Sequence, residues 1–93
     1  MVVGLCTIEL HLPGSQSLKA KRQVLLSLKD RLREKFNVSV AEVAEQDRWQ
    51  KAVLGIACVA NENAHANRIL DQVVNLVRSV PMIELLQCRI ELL

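Results

Sequence analysis

Residues 2–12 alternate strictly in character. Val2, Gly4, Cys6, Ile8, Leu10 and Leu12 are all apolar or small, while Val3, Leu5, Thr7, Glu9 and His11 between them are mixed. Successive strand side chains point to opposite faces, so this pattern demands an extended strand with one face in a core. The period then changes. Pro13 and Gly14 end the strand, and Leu18, Val24, Leu25, Leu28, Leu32 and Phe36 share one arc at 100° per residue. That spacing predicts a helix over 18–36 packed on the sheet. Ser17 is placed to cap it, its hydroxyl accepting from a free backbone N–H. Asn37 is a suitable left-handed stop.

The remainder repeats this unit in outline. Residues 38–44 read as a short strand, followed by the polar turn Glu45-Gln46-Asp47-Arg48. Residues 49–60 read as a strand with Ala52, Leu54, Ile56, Cys58 and Ala60 on the core face. A second helix is capped by Asn61 or Asn63 and closed by Pro81. Its core arc is Ala66, Ile69, Leu70, Val73, Val74, Val77 and Val80. Residues 83–92 read as a last strand, with Leu86, Cys88, Ile90 and Leu92 facing the core. The order β-α-β-β-α-β makes two split β-α-β units. It predicts an α+β ferredoxin-like plait over 1–93 as a single domain, an antiparallel four-stranded sheet of order 4-1-3-2 with both helices on one face.

Composition narrows the function classes. The net charge is only +2, so a nucleic-acid footprint has to come from clustering rather than total charge. No apolar run is long enough to span a bilayer, no signal peptide is visible, and a membrane role is not expected. Three widely spaced cysteines argue against a disulfide framework and for the cytoplasm. Cys6, Cys58 and Cys88 fall on the core face of three neighbouring strands, where free cysteine behaves as a small apolar group. A metal site needs a fourth ligand, and neither His11 nor His65 shares that face. With no Gly-rich phosphate loop, Cys–His pairing or paired carboxylates in view, a non-enzymatic module without metal or cofactor is the reading.

Two surfaces stand out. The first helix carries Lys19, Lys21 and Arg22 in its first turns and no acid before Asp30. Helix starts carry partial positive charge, so each such cation opposes the dipole by about 0.3–1 kcal/mol. The second helix obeys the dipole, with Glu62 at its start and Arg78 at its end. Arg22, Lys29 and Arg33 lie within about 40° of one another, flanked by Lys19. Lys21 turns toward the apolar arc and is expected to snorkel past the sheet edge. Ser17, Lys19, Lys21, Arg22, Lys29 and Arg33 are therefore candidate anion-binding residues, although charged helix faces also arise simply as solvated surface. The second surface is the outer sheet face. Val3, Leu5, Trp49, Val53, Val59, Ile83 and Leu85 are assigned to it, with Gly55 and Ala57 flattening its middle. An apolar face of this kind reads as an interface, and a homodimer through it is the alternative function. It lacks the aromatic platform of base-stacking sheets.

The motifs His11-Leu12-Pro13, Ser17-Leu18-Lys19-Ala20-Lys21-Arg22, Phe36-Asn37-Val38-Ser39-Val40-Ala41-Glu42-Val43, and then Trp49 and Ala52, resemble the YlxP family of small bacterial proteins. The resemblance covers nearly the whole chain. It implies a ferredoxin-like fold and, because members are often encoded beside transcription, translation-initiation and ribosome-maturation factors, a role near ribosomal RNA or the ribosome. The matching basic positions are Lys19, Lys21 and Arg22. Val38 and Val40 then belong to the core, and Glu42 is placed to pair with a cation. The family brings no catalytic residues.

Overall fold

The computed structural model describes residues 1–93. Strands β1 (Val2–His11), β2 (Ser39–Ala44), β3 (Lys51–Ala60) and β4 (Glu84–Leu92) and helices α1 (Leu18–Lys35) and α2 (Asn63–Arg78) follow in the order β-α-β-β-α-β. The sheet runs β2-β3-β1-β4, antiparallel throughout, which is the predicted order read from the other edge. The two longest, most apolar strands are central, where burial rewards them most. Cys6, Ile8 and Leu10 of β1, with Leu12 just past its end, pack with Ala52, Leu54, Ile56 and Cys58 of β3 against Leu25, Leu28 and Leu32 of α1 and Leu70, Val73 and Val77 of α2. The helices cover one face, and the opposite face carries no layer.

The last strand departs from simple alternation. A bulge lies between Glu9 and Leu10 of β1, so Glu9 faces Gln87 while Leu10 faces Leu85. Leu86 is the extra residue, and one inserted residue flips parity. Ile83 and Leu85, assigned to the outer face, therefore join the core, whereas Leu86 is exposed. Strand β3 begins at Lys51 rather than residue 49, which leaves Trp49 in the preceding loop, exposed. The first helix ends without a left-handed residue. Its cap, Phe36, is extended at φ −130, and Asn37 has no positive φ. Phe36 packs on the core and the chain passes almost directly into β2, so no reversal at Asn37 is needed. The N-cap of α2 is Glu62, displacing both asparagines, and it makes no side-chain cap bond.

One glycine sets how closely α2 can approach. A Cβ on Gly4 would lie 3.0 Å from both the Cys58 Sγ and the Leu70 Cδ1. Overpacking a dense core typically costs about 1–3 kcal/mol. Gly4→Ala is expected to lower stability by that amount in urea denaturation, while Gly14→Ala, with open space around its Cβ, changes it by less than about 1 kcal/mol. Equal midpoints for the two variants would remove the packing role of Gly4.

Candidate functional site

Helix α1 starts as its sequence predicts. Ser17 is extended, its Oγ accepts from the Ala20 N–H at 3.0 Å, and its carbonyl accepts from the Lys21 N–H at 3.1 Å. No acidic residue occupies the first turn. The preceding loop is tied down by Gln50, whose Nε2 donates to the carbonyls of Pro13 at 3.2 Å and Ser15 at 3.3 Å. The helix start, the β1–α1 loop and the approach to β3 thus form one braced corner.

Lys21 is the main correction. It is 1% exposed, among the most buried side chains of the protein. Its Nζ lies 2.8 Å from the Glu42 Oε2 and donates to the Glu45 carbonyl at 2.7 Å. The Glu42 Oε2 is sealed from solvent and accepts no well-aligned hydrogen bond, so charge rather than bond direction holds the pair. An ammonium neutralised and enclosed in this way cannot meet an external anion, and Lys21 leaves the candidate set. It does not snorkel to solvent, because a carboxylate and a carbonyl inside satisfy it. Glu45 is the one non-glycine residue with positive φ, 63°. That conformation costs an L-residue about 1–2 kcal/mol, and the Lys21 bond to its carbonyl helps to hold it there.

The remaining cations divide. Lys19 and Arg22 are exposed and Lys29 is half-buried; none has a carboxylate within salt-bridge distance. Arg33 donates through Nη2 to the Val40 carbonyl at 2.8 Å, and its Nη1 is 3.9 Å from Asp30 Oδ1. These four keep the shared ridge of α1. The Ser17 hydroxyl oxygen is already engaged by Ala20. Sequence reading missed a second basic place: Arg31 and Lys35 line a polar groove of about 480 Å³ with Gln72, Asn75 and Ser79 of the other helix and its cap. Their spacing on α1 carries the signal, but the facing amides become visible only when the helices are packed.

On the uncovered sheet face, Val3 and Leu5 are half-buried and Val59 is exposed. Val53 is buried within the chain, apart from the main core, so it offers little surface to a partner. A groove of about 310 Å³ crosses β2, β3 and β1 over Ala41, Gly55 and Ala57, with Leu5 and Val43 on its sides and Glu91 at one end. It exists because Gly55 has no side chain; a Cβ there would lie 2.9 Å from the Val43 Cγ1.

The three thiols are free. Cys6 and Cys88 place their sulfurs 3.8 Å apart, and Cys58 is buried nearby on β3. No group of three His, Cys, Asp or Glu side chains is arranged to hold a metal ion. Burial, first, and then the adjacent Cys88 push the Cys6 thiol from its ordinary 9.0 up to about 12, with Asp71 adding to the shift. Such a thiol is a poor nucleophile at neutral pH. Because the folded value lies above the unfolded one, its contribution to stability is complete below about pH 9 and is lost as pH rises toward 12. Urea midpoints should therefore fall more steeply between pH 8 and pH 10.5 in the native protein than in Cys6→Val. Parallel declines would mean that the buried thiol contributes nothing to alkaline sensitivity.

Removing the Lys21 side chain should expose the worth of its pair. Lys21→Ala strands the Glu42 carboxylate and frees the Glu45 carbonyl, at a cost of about 3 kcal/mol in chemical denaturation. Lys21→Met with Glu42→Leu should recover most of that loss. A single-variant loss below about 1 kcal/mol would show that the pair does not hold the corner.

Residues 3–90 match the family model described as a protein of unknown function (DUF503). The chain is 36% identical over 83 residues to the uncharacterized protein YlxP of Bacillus subtilis (strain 168), covering 89% of this chain and 90% of that one. Among solved structures it resembles the de novo designed protein Foldit4, with a TM-score of 0.53 at 14% identity over 97% of this chain and 94% of that one. That likeness concerns the fold alone. With the family model spanning nearly every element described above, the chain belongs to the DUF503 family of proteins of unknown function, and YlxP is one of its relatives.

Proposed function

We propose that this protein is a non-enzymatic module that docks on the phosphate backbone of RNA, ribosomal RNA in particular, through the exposed ridge of α1. The observation that carries the reading is the alignment of Lys19, Arg22, Lys29 and Arg33 on one helical ridge, with a single carboxylate, Asp30, within 4 Å of any of them. The first turn holds no acid, so an external anion there meets both side chains and the helix's own partial charge. Phosphate contacts position a strand without reading its sequence. Binding should accordingly be broad in sequence and strongly weakened by salt. The bacterial relative is itself uncharacterized, so the physical case rests on this chain's own charges.

The groove over Gly55 and Ala57 favours a second reading, a protein-interaction module that uses the uncovered sheet face. Val3, Leu5 and Val59 would form its apolar centre, with Trp49 contributing from the adjoining loop.

Four phosphate contacts on single-stranded RNA predict a slope of about −3 for log K against log salt. Lys19→Ala, Arg22→Ala and Lys29→Ala together should bring that slope to about −1 and weaken binding at low salt. An unchanged slope and affinity in the triple variant would eliminate the α1 ridge as the contact.

A further inference from the structure

The two margins of the sheet are built differently. At the β2 margin, Val40 and Glu42 sit at non-hydrogen-bonded positions of the ladder with β3, so their backbone groups point away from the sheet. Side chains occupy both carbonyls: Arg33 donates to Val40 at 2.8 Å and Gln46 to Glu42 at 3.4 Å. A bulge between Glu42 and Ala44 further breaks the strand line. These devices block an edge against strand pairing.

The β4 margin has none of them beyond Gln87. Val3 and Leu93 exchange both backbone hydrogen bonds, at 3.0 and 2.8 Å. Alternation along the ladder then makes Glu91, Arg89 and Gln87 the residues bonded to β1. Cys88, Ile90 and Leu92 consequently turn their N–H and C=O groups outward, and no side chain bonds to them. The same three residues are half-buried and pack on the core margin. On the other face, Arg89 and Glu91 pair within the strand at 3.4 Å.

We propose that β4 is a self-recognition edge, on which a second copy of this chain adds its own β4 antiparallel about a twofold axis at Ile90. In that register the two Ile90 residues face each other, and Cys88 faces Leu92 of the second copy on either side. These are three hydrogen-bonded pairs with two hydrogen bonds each, and they satisfy every outward backbone group from Cys88 to Leu92. Between them, Arg89 stands opposite Glu91 of the second copy, twice, at non-hydrogen-bonded positions where side chains come closest. Neighbouring registers lose this match. An axis at Arg89 or at Glu91 sets like charges against each other, and an axis at Cys88 sets Arg89 against Gln87. The apolar side chains of Cys88, Ile90 and Leu92 become continuous with those of the second copy on the helix side. This edge is distinct from both surfaces named above.

Sedimentation of the intact chain over a wide concentration range tests the edge. The native protein should dimerise. Arg89→Glu alone and Glu91→Arg alone should each weaken the dimer by about tenfold or more, because each puts like charges opposite twice. An equimolar mixture of the two variants sets a wholly acidic pair against a wholly basic one and should restore the dimer as a heterodimer. Circular dichroism should show each variant folded, since both changes lie on the exposed face. A monomeric native protein, or a mixture that stays as weak as its components, overturns the proposal. So does a dimer that resists both charge reversals but breaks with Leu5→Arg, which would place the contact on the sheet face instead.

Discussion

The ammonium of Lys21, enclosed between the Glu42 carboxylate and the Glu45 carbonyl, is the contact on which the corner of this fold depends. It joins the second turn of α1 to the end of β2 and to the turn that leads into β3. Buried charge is costly unless paired and hydrogen-bonded, and the Lys21 ammonium has both, a carboxylate for its charge and a carbonyl for its hydrogen bond. The geometry also explains why Glu45 holds a left-handed backbone without being glycine. Helix, edge strand and turn are thereby placed as a unit, with Gln50 bracing the adjoining loop.

That same pair changes what the basic helix start means. Three early cations with no acid in sequence range look like a charge cluster awaiting a ligand. One of them has its counter-ion on β2, 21 residues further along the chain. The remaining cations form a ridge rather than a pocket, suited to a flexible, repeating anion more than to a compact one. Arg33 belongs partly to structure as well, because it covers an edge carbonyl. Among the cations of that ridge, Lys19, Arg22 and Lys29 are the three without a structural partner.

Much of the architecture was legible because its determinants are periodic. The alternation in β1 and β3 and the apolar arcs of α1 and α2 specify element type, core face and strand order. The misreadings share one physical cause, local irregularity stabilised at a distance. The bulge opposite Glu9 arises from how β1 and β4 pair, so strict alternation misplaced Ile83, Leu85 and Leu86. Parity makes Trp49 the first outward residue of the third strand, but Gln50 anchors the loop there. Asn37 had the chemistry of a left-handed stop, yet Phe36 completes the passage in extended form. For Lys21, a place on the apolar arc implies only a side chain that snorkels past the sheet edge, and the sequence marks Glu42 no further than as an acid placed to pair with a cation. Joining the two required knowing that α1 lies along β2.

The unequal margins of the sheet limit how far strands can accumulate. A sheet with two bare borders propagates without end, in the manner of fibrils. Here Arg33 and Gln46 plug one border while the other stays receptive. If β4 recruits a second copy, growth on such a template would end after that single addition, held by a stopper at one end and not by shielding of the whole perimeter.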